Sequence, residues 1–203
     1  MKRIGIVEYG VGNISSVSNA LNYLGADFKH CRFPRDFQDI SGIILPGVGS
    51  FPSGMNNLQQ NDLIGILKDT VSGGVPVLGI CLGMQLLGNS SEEFGITKGL
   101  GFIDGAISPL DNRNGSLRIP HIGWNEVAFK ESILTKGLGQ KDSFYFVHSF
   151  GFDDPDAPYV TGVCNYGSNV VSIVESDNVF GVQFHPEKSQ KSGLKILENF
   201  LSL

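Results

Sequence analysis

Short continuous apolar runs alternate with stretches whose apolar residues recur every three or four positions, and this alternation fills the first half of the chain. Residues 3–9 (RIGIVEY) form a run suited to a strand buried on both faces. After a glycine-containing turn, Ile14, Val17, Leu21 and Leu24 fall on one face of a helix over residues 14–24, with Gly25 at its C-terminal stop. Residues 26–32 and 42–45 read as strands, the second running into Pro46-Gly47-Val48-Gly49-Ser50-Phe51. The pattern then predicts a helix over 63–71, a buried strand over 75–80 and a helical stretch over 82–87. Beyond residue 99 the character changes. Residues 99–129 are rich in Gly, Asn and Pro with short strand signals, and residues 143–150, 169–175 and 179–184 read as strands. The last two are separated by Ser176-Asp177-Asn178, which suits a hairpin, and a final helix is expected over 193–201.

Strands alternating with helices imply an α/β fold: a mainly parallel central sheet with helices on both faces, extended by antiparallel strands. Without a linker, repeat or low-complexity tract, residues 1–203 are expected to form one domain. Active sites of such sheets gather at the carboxyl ends of the strands. Both the Pro46–Gly49 segment and Cys81 stand at such ends.

Charge and cysteine content narrow the class. A formal net charge of −5 argues against a nucleic-acid or anionic-membrane surface. The apolar run at 4–7 is too short for a secretory signal, and the longest apolar stretch, 75–88, is interrupted by Pro76 and Gln85 and is shorter than a membrane span. Three cysteines, Cys31, Cys81 and Cys164, lack C-x-x-C spacing, so neither a disulfide framework nor a metal site is expected, and a cytoplasmic protein is. No cofactor is called for.

Gly79-Ile80-Cys81-Leu82-Gly83 follows a strand and opens a helix, the context of a nucleophile elbow with cysteine in place of serine. The glycines relieve crowding at a tight strand-to-helix turn. The helix N-terminus favours a thiolate, and the Leu82 N–H faces a developing oxyanion. Packing of a small buried residue is the plainer reading of Cys81, and it is the one that fits Cys31 and Cys164. His185-Pro186-Glu187 ends the strand over 179–184. In an extended chain, residues two apart point the same way, so Glu187 orients one imidazole nitrogen while the other meets a cysteine. Capping of a strand end and of the next helix is the plain alternative. His30 sits among Lys29 and Arg32 as a surface residue, while His121 and His148 have no carboxylate two residues away and are expected to support structure or line a pocket.

Weaker signals surround these. Pro46-Gly47-Val48-Gly49 presents backbone N–H groups suited to an oxyanion, or makes an ordinary turn. Gly10-Val11-Gly12-Asn13-Ile14-Ser15 lacks the third glycine of a dinucleotide fingerprint, and Cys31-Arg32 stand where a ribose-binding acid belongs. Trp124, the lone tryptophan, is either core or a partner-facing anchor.

Gly-Ile-Cys-Leu-Gly-Met-Gln at 79–85 and Gln-Phe-His-Pro-Glu at 183–187 together resemble the class I, or triad, glutamine amidotransferases. Tyr9-Gly10-Val11-Gly12-Asn13, Pro46-Gly47-Val48-Gly49, Pro120-His121-Ile122-Gly123-Trp124-Asn125, Tyr145-Phe146-Val147-His148-Ser149 and Glu187-Lys188-Ser189 narrow the resemblance to the branch formed by glutaminase subunits of imidazole glycerol phosphate synthase, over essentially the whole chain. The resemblance implies that Cys81 forms a glutamyl thioester, that His185 moves protons and that Glu187 orients it. It implies an oxyanion hole at Val48 and Leu82, in a PGVG segment that turns into place when the partner binds its ligand. It places the glutamine at Gly49, Gln85, Ser149 and Phe150, and it sets Asn13, Trp124, Tyr145 and Lys188 near a partner interface. The implied partner is a (β/α)₈-barrel cyclase in a heterodimer, using the ammonia in histidine biosynthesis. Glu8 stands where Asp is frequent and Phe150 where Tyr is common. A paralogue feeding ammonia to a surface-sugar synthase is therefore the alternative enzyme. A non-catalytic subunit is disfavoured by the intact Cys81, His185 and Glu187.

Overall fold

The computed structural model describes residues 2–140 and 142–203. In chain order the first half comprises β1 (Arg3–Val7), α1 (Ile14–Tyr23), β2 (Asp27–Cys31), β3 (Gly42–Gly47), α2 (Phe51–Gln60), α3 (Leu63–Ser72), β4 (Val77–Cys81) and α4 (Leu82–Leu86). The second half comprises β5 (Ser90–Ser91), β6 (Thr97–Lys98), β7 (Ala106–Pro109), β8 (His121–Phe129), β9 (Ser143–His148), β10 (Phe150–Phe152), β11 (Val160–Asn165), β12 (Asn169–Ser176), β13 (Val179–Val182) and α5 (Gln190–Leu201). Short 3-10 turns occur at Pro34–Phe37 and Pro186–Lys188.

The main sheet runs β2-β1-β3-β4-β13-β12-β11-β8-β9. Strands β2, β1, β3, β4 and β13 are parallel, and β12, β11, β8 and β9 continue the sheet antiparallel. A smaller sheet has the order β10-β7-β5-β6. The parallel core with its antiparallel extension is the architecture expected from the alternating pattern.

Alternation along β1, β3 and β4 sends side chains to two cores, because successive residues of a strand face opposite ways. Val7, Ile43, Leu45 and Val77 pack with Leu58 of α2, Leu67 of α3 and Leu86 of α4. Ile4, Ile6, Ile44, Leu78 and Ile80 pack on the other side with Val17 and Leu21 of α1 and Ile196 and Phe200 of α5. Fully burying a side chain of this size contributes roughly 1.5–3 kcal/mol. The parallel strands are thus fixed from both faces, and their carboxyl ends are held still. Among the described residues, no helix is long and apolar enough to cross a membrane.

Several boundaries differ from the sequence reading. Residues 143–150 are not one strand: β9 ends at His148 and pairs with β8, whereas β10 starts at Phe150 and pairs with β7 in the smaller sheet. Ser149 is the crossing point. Helix α2 and strand β11 escaped the pattern. Pro52, Gly54 and two asparagines weaken the helical signal of α2, although Phe51, Met55 and Leu58 are buried from one face of it. Proline is tolerated in a first turn, and Gly54 packs against Leu82 and Leu86 of α4. The hairpin of β12 and β13 forms as read, with Ser176 opposite Val179.

Candidate active site

The carboxyl ends of the parallel strands β3, β4 and β13 meet at the site, and β4 supplies its centre. Every residue of β4 is buried, and α4 begins directly after it at Leu82. The junction forces Cys81 to φ 55°, ψ −112°, a conformation costing roughly 1–3 kcal/mol in a residue with a Cβ. Two glycines make the turn possible by close approach. A Cβ on Gly79 would stand 2.6 Å from both the Gly83 oxygen and the Met84 nitrogen, and one on Gly83 would overlap the Leu45 carbonyl oxygen of β3. The elbow read from the sequence therefore exists: close backbone approach explains its glycines, of Gly79 to α4 and of Gly83 to β3. The Leu82 N–H, in the first helical position, has no carbonyl four residues back within the helix.

Cys81 is 6% exposed. Its thiol points at the Val147 carbonyl oxygen, Sγ to O 3.8 Å, and the Gln183 amide nitrogen lies 3.8 Å from the same sulfur. His185, 2% exposed, bonds through Nδ1 to Glu187 Oε1 at 2.9 Å. The sequence argument placed this pair along an extended strand. In the structure β13 ends at Val182, and Pro186–Lys188 is a 3-10 turn that folds Glu187 back onto the ring. The His185 backbone is clamped in turn. Its N–H donates to the Tyr145 carbonyl at 2.9 Å, its carbonyl accepts from Ser189 Oγ at 2.6 Å, and the Tyr145 N–H donates to that same Oγ at 3.0 Å.

Glu187 Oε2 is buried without a partner, and so is His185 Nε2. The ring nitrogen turned away from Glu187 is thus left without a partner. Burial alone would lower the His185 pKa, but the neighbouring Cys81 and the Glu187 carboxylate outweigh it and raise the value to about 9. His185 keeps its proton at neutral pH. A buried acid of this kind is matched to protonating a poor amine leaving group.

A cavity of about 240 Å³ opens over the sulfur. Val48, Gly49, Cys81, Leu82, Gln85, Ser149, Phe150 and His185 line it, together with Val147 and His148. Eight residues picked from the sequence thus meet in one space, drawn from the ends of β3, β4 and β9 and from the turn after β13. Gly49 has φ +103°, which favours glycine there, and the exposed Val48 bounds the mouth. Gln85 holds the wall rather than lying loose: its amide nitrogen donates to the Phe150 carbonyl at 2.7 Å and to Gln183 Oε1 at 3.0 Å. Gln183, Ser189 and Val147 were missing from the sequence-derived site. All three sat inside the quoted motifs, but only the fold shows what they touch. Glu93 was missed as well. Its carboxylate accepts the Phe51 N–H at 2.7 Å, which pins the start of α2 just beyond the Val48–Gly49 segment.

Three residues assigned to a partner face lie together outside the cavity. Trp124, 47% exposed, meets Tyr145 edge-on with centroids 6.0 Å apart, and Lys188 Nζ lies 5.8 Å from the Tyr145 ring centre. Asn13 precedes α1 without a side-chain capping bond, and α1 packs against the 186–188 turn. Tyr145 thus links the exposed aromatic face to the His185 backbone. Glu8 is an ordinary surface pairing group, bonded to His30 at 2.8 Å and Arg32 at 2.9 Å. Cys31 and Cys164 are buried and free, each with its thiol pushed up to about 11 by burial, as structural cysteines should be.

Residues 5–203 match the family Glutamine amidotransferase class-I. The chain is 44% identical over 206 residues to imidazole glycerol phosphate synthase subunit HisH of Pelagibacter ubique, covering 98% of this chain and 99% of that one. It is 46% identical over 198 residues to the subunit of the same name from Bacillus cereus, covering 97% and 93%. Among solved structures, PurLQS from Thermotoga maritima superimposes with a TM-score of 0.77 at 21% identity, covering 99% of this chain and 98% of that one. A crystal structure of a glutamine amidotransferase gives 0.76 at 18% identity over 98% and 97%. At such identity the two structures speak for the fold alone.

Proposed function

The chain belongs to the class-I glutamine amidotransferase family, and from that premise we propose that it is the glutaminase subunit of an imidazole glycerol phosphate synthase, hydrolysing glutamine at Cys81 and passing the ammonia to a (β/α)₈-barrel cyclase subunit. The observation that carries the chemistry is one cavity holding the Cys81 thiol, the Glu187-bound His185 and the backbone of Val48 and Leu82. The near-full-length likeness to HisH subunits supports the histidine branch over the surface-sugar alternative.

The reaction runs as two acyl transfers. Cys81 Sγ, as the thiolate whose proton His185 holds, attacks the side-chain amide carbon of glutamine, and the oxyanion is met by the N–H groups of Val48 and Leu82. His185 Nε2–H protonates the amide nitrogen, the C–N bond breaks, and ammonia leaves a glutamyl thioester. Water then attacks the thioester carbon while His185 takes its proton. Collapse of this second intermediate releases glutamate and restores Cys81. Glu187 holds the ring through Nδ1 and favours its charged form. Gly49, Gln85, Ser149 and Phe150 hold the glutamine. The partner covers the face of Asn13, Trp124, Tyr145 and Lys188. Three buried, unpaired cysteines accord with work in the reducing cytoplasm.

The test is glutamine hydrolysis by the chain alone, with the barrel cyclase, and with cyclase plus its phosphoribosyl ligand. The last mixture is expected to be much the fastest. Equal, negligible rates in all three would overturn the assignment of that partner.

A further inference from the structure

Two buried histidines, His148 in the cavity wall and His121 behind it, take no part in the chemistry above. His121 begins β8 and His148 ends β9, and the register sets them opposite each other. His121 Nδ1 and His148 Nε2 are 3.0 Å apart. At one end, His148 Nδ1 lies 2.9 Å from the Phe150 carbonyl oxygen; at the other, the Asn125 amide nitrogen lies 2.7 Å from His121 Nε2.

The chemistry of these groups fixes every proton. A carbonyl oxygen only accepts, so His148 carries its proton on Nδ1. In a neutral ring Nε2 must then accept, and the donor it meets is His121 Nδ1–H. His121 Nε2 is left to accept, and the Asn125 amide supplies an N–H. Each group is satisfied in this one direction, from Asn125 to the Phe150 carbonyl. A further proton on His148 would set two N–H groups face to face across 3.0 Å. Burial pushes both rings toward the neutral form, to about 4 for His121 and about 3 for His148. The His121 ring is also clamped between Phe146, 4.7 Å away between centroids, and Tyr166, 4.0 Å away.

We propose that Asn125, His121 and His148 form a one-way hydrogen-bond relay that positions the Phe150 carbonyl, and with it the Ser149–Phe150 wall of the cavity. That wall is where the chain leaves the main sheet for the smaller one: the Leu110 N–H bonds the Ser149 carbonyl at 2.9 Å, and side chains meet the Phe150 carbonyl. Gln85 grips the Phe150 carbonyl from one side, and His148 grips it from β9. The relay makes His121 a positioning residue, acting on glutamine only through His148 and the wall. Its head, Asn125, follows the exposed Trp124 on β8, which ties the outer aromatic face to the pocket. What the wall holds rests on the glutaminase reading; the relay itself does not.

Two measurements test it. In nitrogen-15 spectra of the wild-type chain at neutral pH, both rings are expected to be neutral with the proton on Nδ1, the tautomer that free imidazole side chains disfavour. A proton on Nε2 of either ring would overturn the relay. In the synthase complex, His121→Leu is expected to raise the KM for glutamine about fivefold, the size of one lost neutral hydrogen bond, with kcat within about twofold. His121→Asn, whose amide nitrogen takes the place of Nδ1, is expected to stay close to wild type. Equal KM values in all three proteins, or equal impairment of both variants, would refute the positioning role. A wild-type complex that hydrolyses no glutamine would sink the functional reading instead, while the tautomers would still decide the relay.

Discussion

His185 keeps its proton at neutral pH because Cys81 and Glu187 outweigh the cost of burying its charge. Replacing Glu187 by Gln removes one of the two supports, so the His185 titration, followed by NMR, should move down from about 9. Without its orienting carboxylate the ring also loses direction, and glutaminase turnover should fall by about a hundredfold or more. The linkage has a definite sign. A histidine whose pKa rises on folding stabilises the fold fully below its unfolded value of 6.5, and that contribution is lost as pH rises through about 9. Denaturation at several pH values should therefore show the wild-type advantage over Glu187→Gln largest below about 6.5 and shrinking past 9. The three residues were legible in the sequence because each lies in a short run with a stated mechanical need. How His185 and Glu187 meet was not legible, since two-residue alternation predicts a strand where Pro186 starts a 3-10 turn. The His121–His148 bond was beyond reach for another reason: it depends on the register of β8 against β9.

At the level of elements, the elbow is a contact between β3 and α4 as much as a turn after β4. Gly83→Ala would drive a methyl group into the Leu45 carbonyl. The expected loss is about 3 kcal/mol or more of unfolding free energy, measured in urea, because neither backbone can withdraw without disturbing the sheet. Unchanged stability would mean that α4 is free to shift. Strands β1, β3, β4 and β13 were readable from the pattern, since strands buried on both faces are nearly continuous apolar runs, whereas the edge strand β2 is polar. The errors cluster where tertiary contacts override local pattern. Ser149 divides an unbroken run, Ser-Phe-Tyr-Phe-Val-His-Ser-Phe, because His148 and Phe150 pair in different sheets. Helix α2 forms despite Pro52 and Gly54 because its apolar face packs on α4 and α3. Strand β11 lies between β12 and β8, so its place depends on partners far along the chain.

For the whole molecule, the antiparallel extension carries the exposed aromatic face outward while its inner end reaches the cavity. Trp124→Ala should weaken binding of the cyclase about tenfold or more, read by titration, since exposed aromatic anchors dominate such interfaces. An unchanged affinity would move the partner elsewhere. The central claim, however, concerns bond-making at Cys81, and one measurement addresses it directly. The complex, mixed with glutamine and quenched in acid within a turnover, should yield a Cys81 peptide heavier by one glutamyl group, detected by mass spectrometry and absent from Cys81→Ala. Glutamine consumed with no such adduct in the wild type, or consumed as fast by Cys81→Ala, would contradict the account.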